Sequence, residues 1–198
     1  MNPPNVPAPR GRYFEDFEVG DVLVTGRRTV TSTDIVNFAC LSGDFNDVHT
    51  NHEYARQTPF GEPIAHAPLV FAVAAGLNYA SGVNDGTLIA VLGIDKWRMK
   101  VAVKHGDTIH VESTVLSKRE SQSRPDAGLI TYVRRFVNQR GETAQEMEIS
   151  ILYRKRNAKE GVVGNRRFGN GRHDQIPCRV LIQPRDLDHG KPEELPDP

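Results

Sequence analysis

The sequence predicts an α+β domain in which a curled antiparallel sheet wraps one long apolar helix. Three observations carry this. Residues 68–81, PLVFAVAAGLNYAS, are apolar on nearly every side and hold no charge. Four long segments of strand character follow, at about residues 86–103, 107–122, 128–139 and 143–154. The chain does not alternate strands with helices, and it contains neither G-x-G-x-x-G after a strand nor G-x-x-x-x-G-K-[ST], so a nucleotide-binding parallel sheet is disfavoured.

Each element has its own local warrant. Residues 21–30 have strand character. Thr31 with Asp34 forms a T-x-x-D helix start, and Ile35, Val36, Phe38, Ala39 and Leu41 form the helical stripe behind it. Gly43 stands where the left-handed residue that ends a helix belongs. Asn51 is placed to cap a short helix running to Gln57. Pro68 suits the first position of the apolar helix, and a helix apolar all round is expected to be buried all round. In the last segment Met147, Ile149, Ile151 and Tyr153 alternate as in a half-buried strand, and Ile109, Val111 and Val115 do the same. Gln139-Arg140-Gly141-Glu142 is a hairpin-type connection, and residues 123–127 are a second turn or loop.

Composition narrows the function. The formal net charge is zero, with 25 Lys+Arg against 25 Asp+Glu, which disfavours a nucleic-acid binder. The balance is uneven: residues 1–153 hold 15 basic and 18 acidic residues, and residues 154–198 hold 10 and 7. The expected organisation is a domain over 1–153 and a basic, then Pro-rich tail over 154–198, mobile or docked on a neighbour. Beyond the basic stretch from Arg154 to Arg172, only Ile176, Val180, Leu181 and Ile182 are expected to serve as apolar anchors. No apolar run approaches the roughly 20 residues of a membrane span. The N-terminus has no apolar signal region, and Cys40 and Cys178 have no metal-ligand spacing. A cytoplasmic protein, with no membrane partner and no cofactor, is expected.

Two polar clusters can do chemistry. Ser42-Gly43-Asp44-Phe45-Asn46-Asp47-Val48-His49 puts a carboxylate and an imidazole five residues apart on a loop. If the loop is tight, the pair can hold one water and move two protons. The plainer alternative is an Asx turn beside a surface histidine. His49-x-x-His52 with Asp44 or Asp47 nearby could ligate zinc, but His52 belongs to the short helix after Asn51 and faces a different way. No residue completes the set at suggestive spacing, and the calcium-loop pattern fails, so no metal is expected. The second cluster, Phe60 to Leu69, leads into the apolar helix. The free N–H groups at that helix start can stabilise charge on a carbonyl oxygen, or His66 can simply cap it.

Together, G-D-F-N-x-x-H and P-I-A-H-x-x-L, with 17 residues from His49 to His66, resemble the MaoC-like dehydratases. These are the (R)-specific enoyl-CoA hydratases and their relatives, which have a hot-dog fold. Residues 13–20, YFEDFEVG, and 103–109, VKHGDTI, are also similar to that family, and the likeness spans about residues 12–154. It implies reversible hydration of a 2-enoyl-CoA. It implies Asp44 and His49 as the catalytic pair, Asn46 as a loop-shaping or substrate-orienting amide, and the N–H of Ala67, after His66, as the oxyanion contact. It also implies an edge-to-edge homodimer with the acyl-CoA tunnel at the junction.

Phe45, Phe71 and Trp97 are candidates for the acyl pocket, and Lys104 for a CoA phosphate contact, as are Lys96, Arg98 and Lys100. The chain departs from the family at Asp47, where Pro is usual, and at Ala67, where Gly is usual. The small hydroxyl residue of the helix's first turns is also missing, with Phe71, Ala72 and Ala75 thereabouts. A thioesterase is disfavoured because no Asp or Glu lies between Ile64 and Val83. The main alternative is a non-catalytic acyl-CoA-binding or interaction module on the same fold.

Overall fold

The computed structural model describes residues 10–156. The element order is β1 (Val22–Val24), β2 (Arg28–Thr29), α1 (Ser32–Ser42), α2 (Asp47–Thr50), α3 (His52–Arg56), α4 (Ala67–Ala80), β3 (Leu88–Met99), β4 (Thr108–Glu120), β5 (Ala127–Val137) and β6 (Thr143–Arg154), with a 3-10 turn at Phe14–Asp16 before β1. The sheet runs β1-β4-β5-β6-β3, with β2 also on β4, and every pairing is antiparallel. Helix α4 lies against its inner face, which is the hot-dog arrangement.

Local chemistry explains the ends of these elements. Thr31 and Asp34 form a reciprocal capping box at α1, and Gly43 closes it with φ 77° and its N–H on the Ala39 carbonyl. Asn51 caps α3 through the Tyr54 N–H. The expected strand over 21–30 is two short pieces, β1 and β2. Helix α4 begins at Ala67, so Pro68 is its second residue, where a missing N–H still costs no helical bond.

Two apolar clusters fill the inner face. One joins Leu69, Val70, Val73, Ala74 and Leu77 of α4 to Val111, Phe136 and Met147. The other closes the far end, where Phe17 sits edge-on to Tyr132, with ring centroids 6.1 Å apart, and 4.7 Å from Tyr153. Gly128 of β5 lies directly under the Phe14 ring; a Cβ there would fall 2.2 Å from a ring carbon.

One expectation is corrected. Helix α4 is not buried all round: Ala72, Ala75, Gly76 and Tyr79 face outwards, and Tyr79 is 80% exposed. A single sheet covers only one side of a helix, so among the described residues the second apolar side stays open. The edge strand β3 has the same character. None of its residues is buried, and Val91, Ile94 and Met99 are exposed.

Arg154 is the last residue of β6, and the two residues after it dock on the domain. The Lys155 N–H donates to the Asp126 carbonyl, and Arg156 pairs with Asp16 and covers the Tyr13 ring at 4.8 Å. The remainder of the expected tail, including Ile176, Val180, Leu181 and Ile182, lies outside the described residues.

Candidate active site

The site is built where three chain segments meet at the start of α4. Gly43 turns the chain out of α1, and Ser42 Oγ accepts the Asp44 N–H at 3.2 Å. The Asp44 carboxylate in turn accepts the Asn46 N–H, at 3.2 Å. Asn46 then caps α2 by accepting the Val48 N–H. One short turn of helix therefore carries the chain from Asp44 to His49. Residues 64 and 65 are pinned from both sides: the Ile64 N–H donates to the Val48 carbonyl, and the Ala65 N–H to the Val103 carbonyl.

These restraints bring Asp44, His49 and His66 together. Each offers an oxygen or nitrogen within 4.8 Å of the other two. His49 Nδ1 lies 2.8 Å from the Ile64 carbonyl oxygen. A carbonyl only accepts, so Nδ1 carries the hydrogen and the lone pair of the neutral ring is on Nε2. His66 is 2% exposed, and its Nε2 donates to the Asp44 backbone carbonyl at 2.9 Å. Its Nδ1 is buried and has no hydrogen-bond partner among the described residues. The two imidazoles stack with centroids 3.7 Å apart, and Phe38 backs His66 at 5.0 Å.

A resident metal fits this cluster poorly. Rings stacked with planes inclined by only 27° hold their lone pairs side by side instead of converging on one point. A water fits well. With bonds of about 2.8 Å to each side, one water molecule spans two groups up to about 5 Å apart. The Asp44 side chain is 53% exposed, so the cluster opens to solvent.

The other sequence candidates divide into two groups. Ala67 opens α4, and its carbonyl accepts from Gln145 Nε2 at 3.0 Å. Phe71, one turn on, lies 5.6 Å from Trp97 and 6.1 Å from Phe136, so Phe71 and Trp97 share one wall beside the helix start. Phe45 is apart from them and 57% exposed. The Lys104 ammonium is held by the Phe60 carbonyl at 2.6 Å and by Glu62 at 3.2 Å. Lys96 and Lys100 form ion pairs with Glu148 and Glu146. An open cleft of about 630 Å³ is lined by Phe60, Glu62, Lys104, His105 and Arg140, and it includes none of the three clustered residues.

Sequence reasoning missed Phe38, the Ile64 carbonyl and Gln145. Phe38 was visible only as one residue of the α1 stripe. The other two act through a backbone atom and across a gap of 78 residues, and neither leaves a local signal.

Comparison with known proteins bears on the family and the fold. The model of the MaoC-like domain family matches residues 16–133. Protein MaoC of Klebsiella aerogenes is 42% identical over 116 residues, 59% of this chain and 34% of that protein. The (R)-specific enoyl-CoA hydratase of Rhodospirillum rubrum is 33% identical over 114 residues, 52% of this chain and 69% of that protein. Among solved structures, a MaoC-like dehydratase from Rhodospirillum rubrum superposes with a TM-score of 0.67 at 31% identity, covering 75% of this chain and all of that one. A Mycobacterium tuberculosis protein described as a double hot-dog fold shares the fold at 19% identity, with a TM-score of 0.65 over 76% of this chain and 47% of its own. The match to Protein MaoC thus spans about a third of that protein's length.

Proposed function

Since the chain belongs to the MaoC-like domain family, we propose that it catalyses reversible hydration of a 2-enoyl-CoA, and that Asp44 and His49 are its catalytic residues. The observation that carries this reading is the orientation of His49. With Nδ1–H spent on the Ile64 carbonyl, Nε2 is the basic atom, and a ring nitrogen of His49 and a carboxylate oxygen of Asp44 lie within 4.8 Å of each other, a span that one water bridges. The substrate class comes from the enoyl-CoA hydratase among the relatives.

The chemistry needs a base, an acid and an electrophilic contact. The double bond of a 2-enoyl thioester accepts water at C3 only if charge can move to the thioester oxygen. The Ala67 N–H, at the positive end of α4, is our candidate donor to that oxygen. His49 Nε2 takes a proton from the water as its oxygen bonds to C3. The C2–C3 π pair moves towards the thioester, and Asp44, entering the step as the carboxylic acid, delivers its proton to C2 and is left as the carboxylate. The pair is left with one proton shifted from Asp44 to His49, which a second water returns. Dehydration runs the same steps backwards. His66 touches no reacting atom in this scheme: it holds the Asp44 backbone and the face of His49.

The test is turnover across a panel of enoyl-CoA chain lengths and branches. Asp44→Asn and His49→Ala should each lower the rate by about 10² or more while the fold is retained. The two losses should not add, because the residues act as a unit. Full activity in either variant, on a substrate the wild type turns over, removes the assignment. A chelator should leave the rate unchanged, and its loss on chelation returns the metal reading.

The partner we propose is a second copy of this chain. Among the described residues, the edge of β3 and the uncharged outer side of α4 are left without cover, and an unpaired edge strand is a template for strand pairing.

A further inference from the structure

Gln145, a buried residue, makes two part-buried hydrogen bonds, and each fixes the other. The side chain is 3% exposed on the inner face of β6. Its Nε2 donates to the Ala67 carbonyl at 3.0 Å, and its Oε1 accepts the Trp97 indole N–H at 2.9 Å. The amide has only one workable orientation, since an indole N–H only donates and a carbonyl only accepts. Both ends of the amide are satisfied, so the three residues form a closed polar link in an apolar region. Phe71 lies above the link, against both Trp97 and Phe136.

The two groups joined are functionally distinct. Ala67 is the first residue of α4, and its N–H is the contact assigned above to the thioester oxygen. Trp97, on the edge strand β3, shares with Phe71 the apolar wall next to it. A carbonyl anchored to the sheet fixes the first turn of α4 against β6, and the helical dihedrals of Ala67 couple that carbonyl to the preceding peptide plane, which carries its N–H. Oxyanion donors act by being already in place when charge develops, so such an anchor affects the chemical step more than substrate binding.

We propose that Gln145 is the positioning residue of the oxyanion contact, tying the Ala67 peptide to the Trp97 wall of the acyl site. The inference rests on the hydratase reading above. Gln145 touches no reacting atom; it acts through Ala67.

Gln145→Met keeps length and apolar volume but removes both bonds. It should lower kcat about 10- to 100-fold with KM within about threefold of wild type, a fraction of the 10² to 10³ that a lost oxyanion donor itself costs. Gln145→Glu supplies the conservative rescue. As a neutral acid its O–H donates to Ala67 and its carbonyl accepts from Trp97, whereas the carboxylate donates nothing. The ratio of its kcat to wild type should therefore rise as pH falls, and that of Gln145→Met should stay flat. Trp97 is the only tryptophan in the chain, so one indole N–H resonance reports the other end of the link. That signal and the Ala67 amide should both shift in Gln145→Met.

A folded Gln145→Met with kcat within twofold of wild type overturns the proposal, as does a loss confined to KM. If Gln145→Met does not fold, the Gln145→Glu ratio decides, and a ratio independent of pH overturns the proposal. If the wild type hydrates no member of the panel, it is the hydratase reading that fails. The positioning role is then judged by resonance alone, and an unmoved Ala67 amide in Gln145→Met, or in Gln145→Glu at high pH, removes it.

Discussion

His49 and His66 stack face to face, with ring centroids 3.7 Å apart and planes inclined by 27°. The exposed-side ring carries the proposed chemistry, and the buried ring is its platform. Neither ring is free to turn, because each has a nitrogen on a carbonyl: His49 on Ile64 and His66 on Asp44.

This predicts separable effects at position 66. His66→Leu removes the platform's polar edge and leaves the Asp44 carbonyl without its donor, so kcat should fall about tenfold or more. His66→Gln can return an N–H near the place of Nε2 and should recover much of that loss. Equal rates in the two variants would show that the bond to Asp44 does not matter.

A second prediction concerns Arg134, which is buried on the inner face of β5. Its Nε donates to Ser113 Oγ at 3.0 Å, its guanidinium lies 5.6 Å from the centre of the Tyr132 ring, and among the described residues no carboxylate pairs with it. Burial lowers its pKa. Ser113→Ala should cost about 1–3 kcal/mol, because it leaves a buried cation short of an acceptor. Adding Arg134→Met should restore most of that loss, since apolar replacement of a buried charge is often neutral or stabilising. Urea denaturation of the two single variants and the double variant closes the cycle, and additive losses would refute the coupling.

The third prediction is a pH effect at Asp107, 4% exposed in the turn before β4. Burial pushes its carboxyl up, but the Lys104 N–H, the Gln139 amide and Arg140 together bring it below the usual value of 3.8. A lowered folded value means that ionised Asp107 stabilises the fold above pH 3.8. That contribution is lost as pH falls through the folded value. Asp107→Asn should therefore be less stable than wild type at pH 7 by about 1–3 kcal/mol, with the gap closing in acid. A gap unchanged down to pH 2 in chemical denaturation would contradict this.

The fourth prediction tests the second copy. Light scattering at micromolar concentration should give a dimer or a dimer-based oligomer. Ile94→Lys on the edge strand, or Tyr79→Glu on the outer side of α4, should shift it towards monomer, since a charge at a covered apolar contact is costly. A wild-type monomer with full activity would refute the interface.

Much of this protein is legible in its sequence because the signals are local. Thr31 and Asp34 cap α1, Gly43 ends it, Asn51 caps α3, and the alternation of Met147, Ile149, Ile151 and Tyr153 marks an inner strand face. Each depends on residues a few positions apart, where backbone geometry alone sets who meets whom. The spacing of Asp44 and His49 belongs to the same class, since one short turn of helix joins them.

What lay beyond the sequence was decided by contacts between distant segments. The residues of α2 are too few to show a periodicity. The outer side of α4 is as apolar as its inner side, so composition could not reveal that one sheet covers only half of it. His66 looked like a helix cap, and only the meeting of residues 38, 44, 49 and 66 makes it a buried platform. Gln145 looked like any polar residue in a strand. It became part of the site because antiparallel pairing of β6 with β3 and β5 brings its amide under the start of α4, between an indole N–H and a carbonyl that nothing local relates to it. Caps, turns and alternation follow from short-range sterics and hydrogen bonding. Which buried polar groups satisfy one another follows only from how the folded elements are brought together.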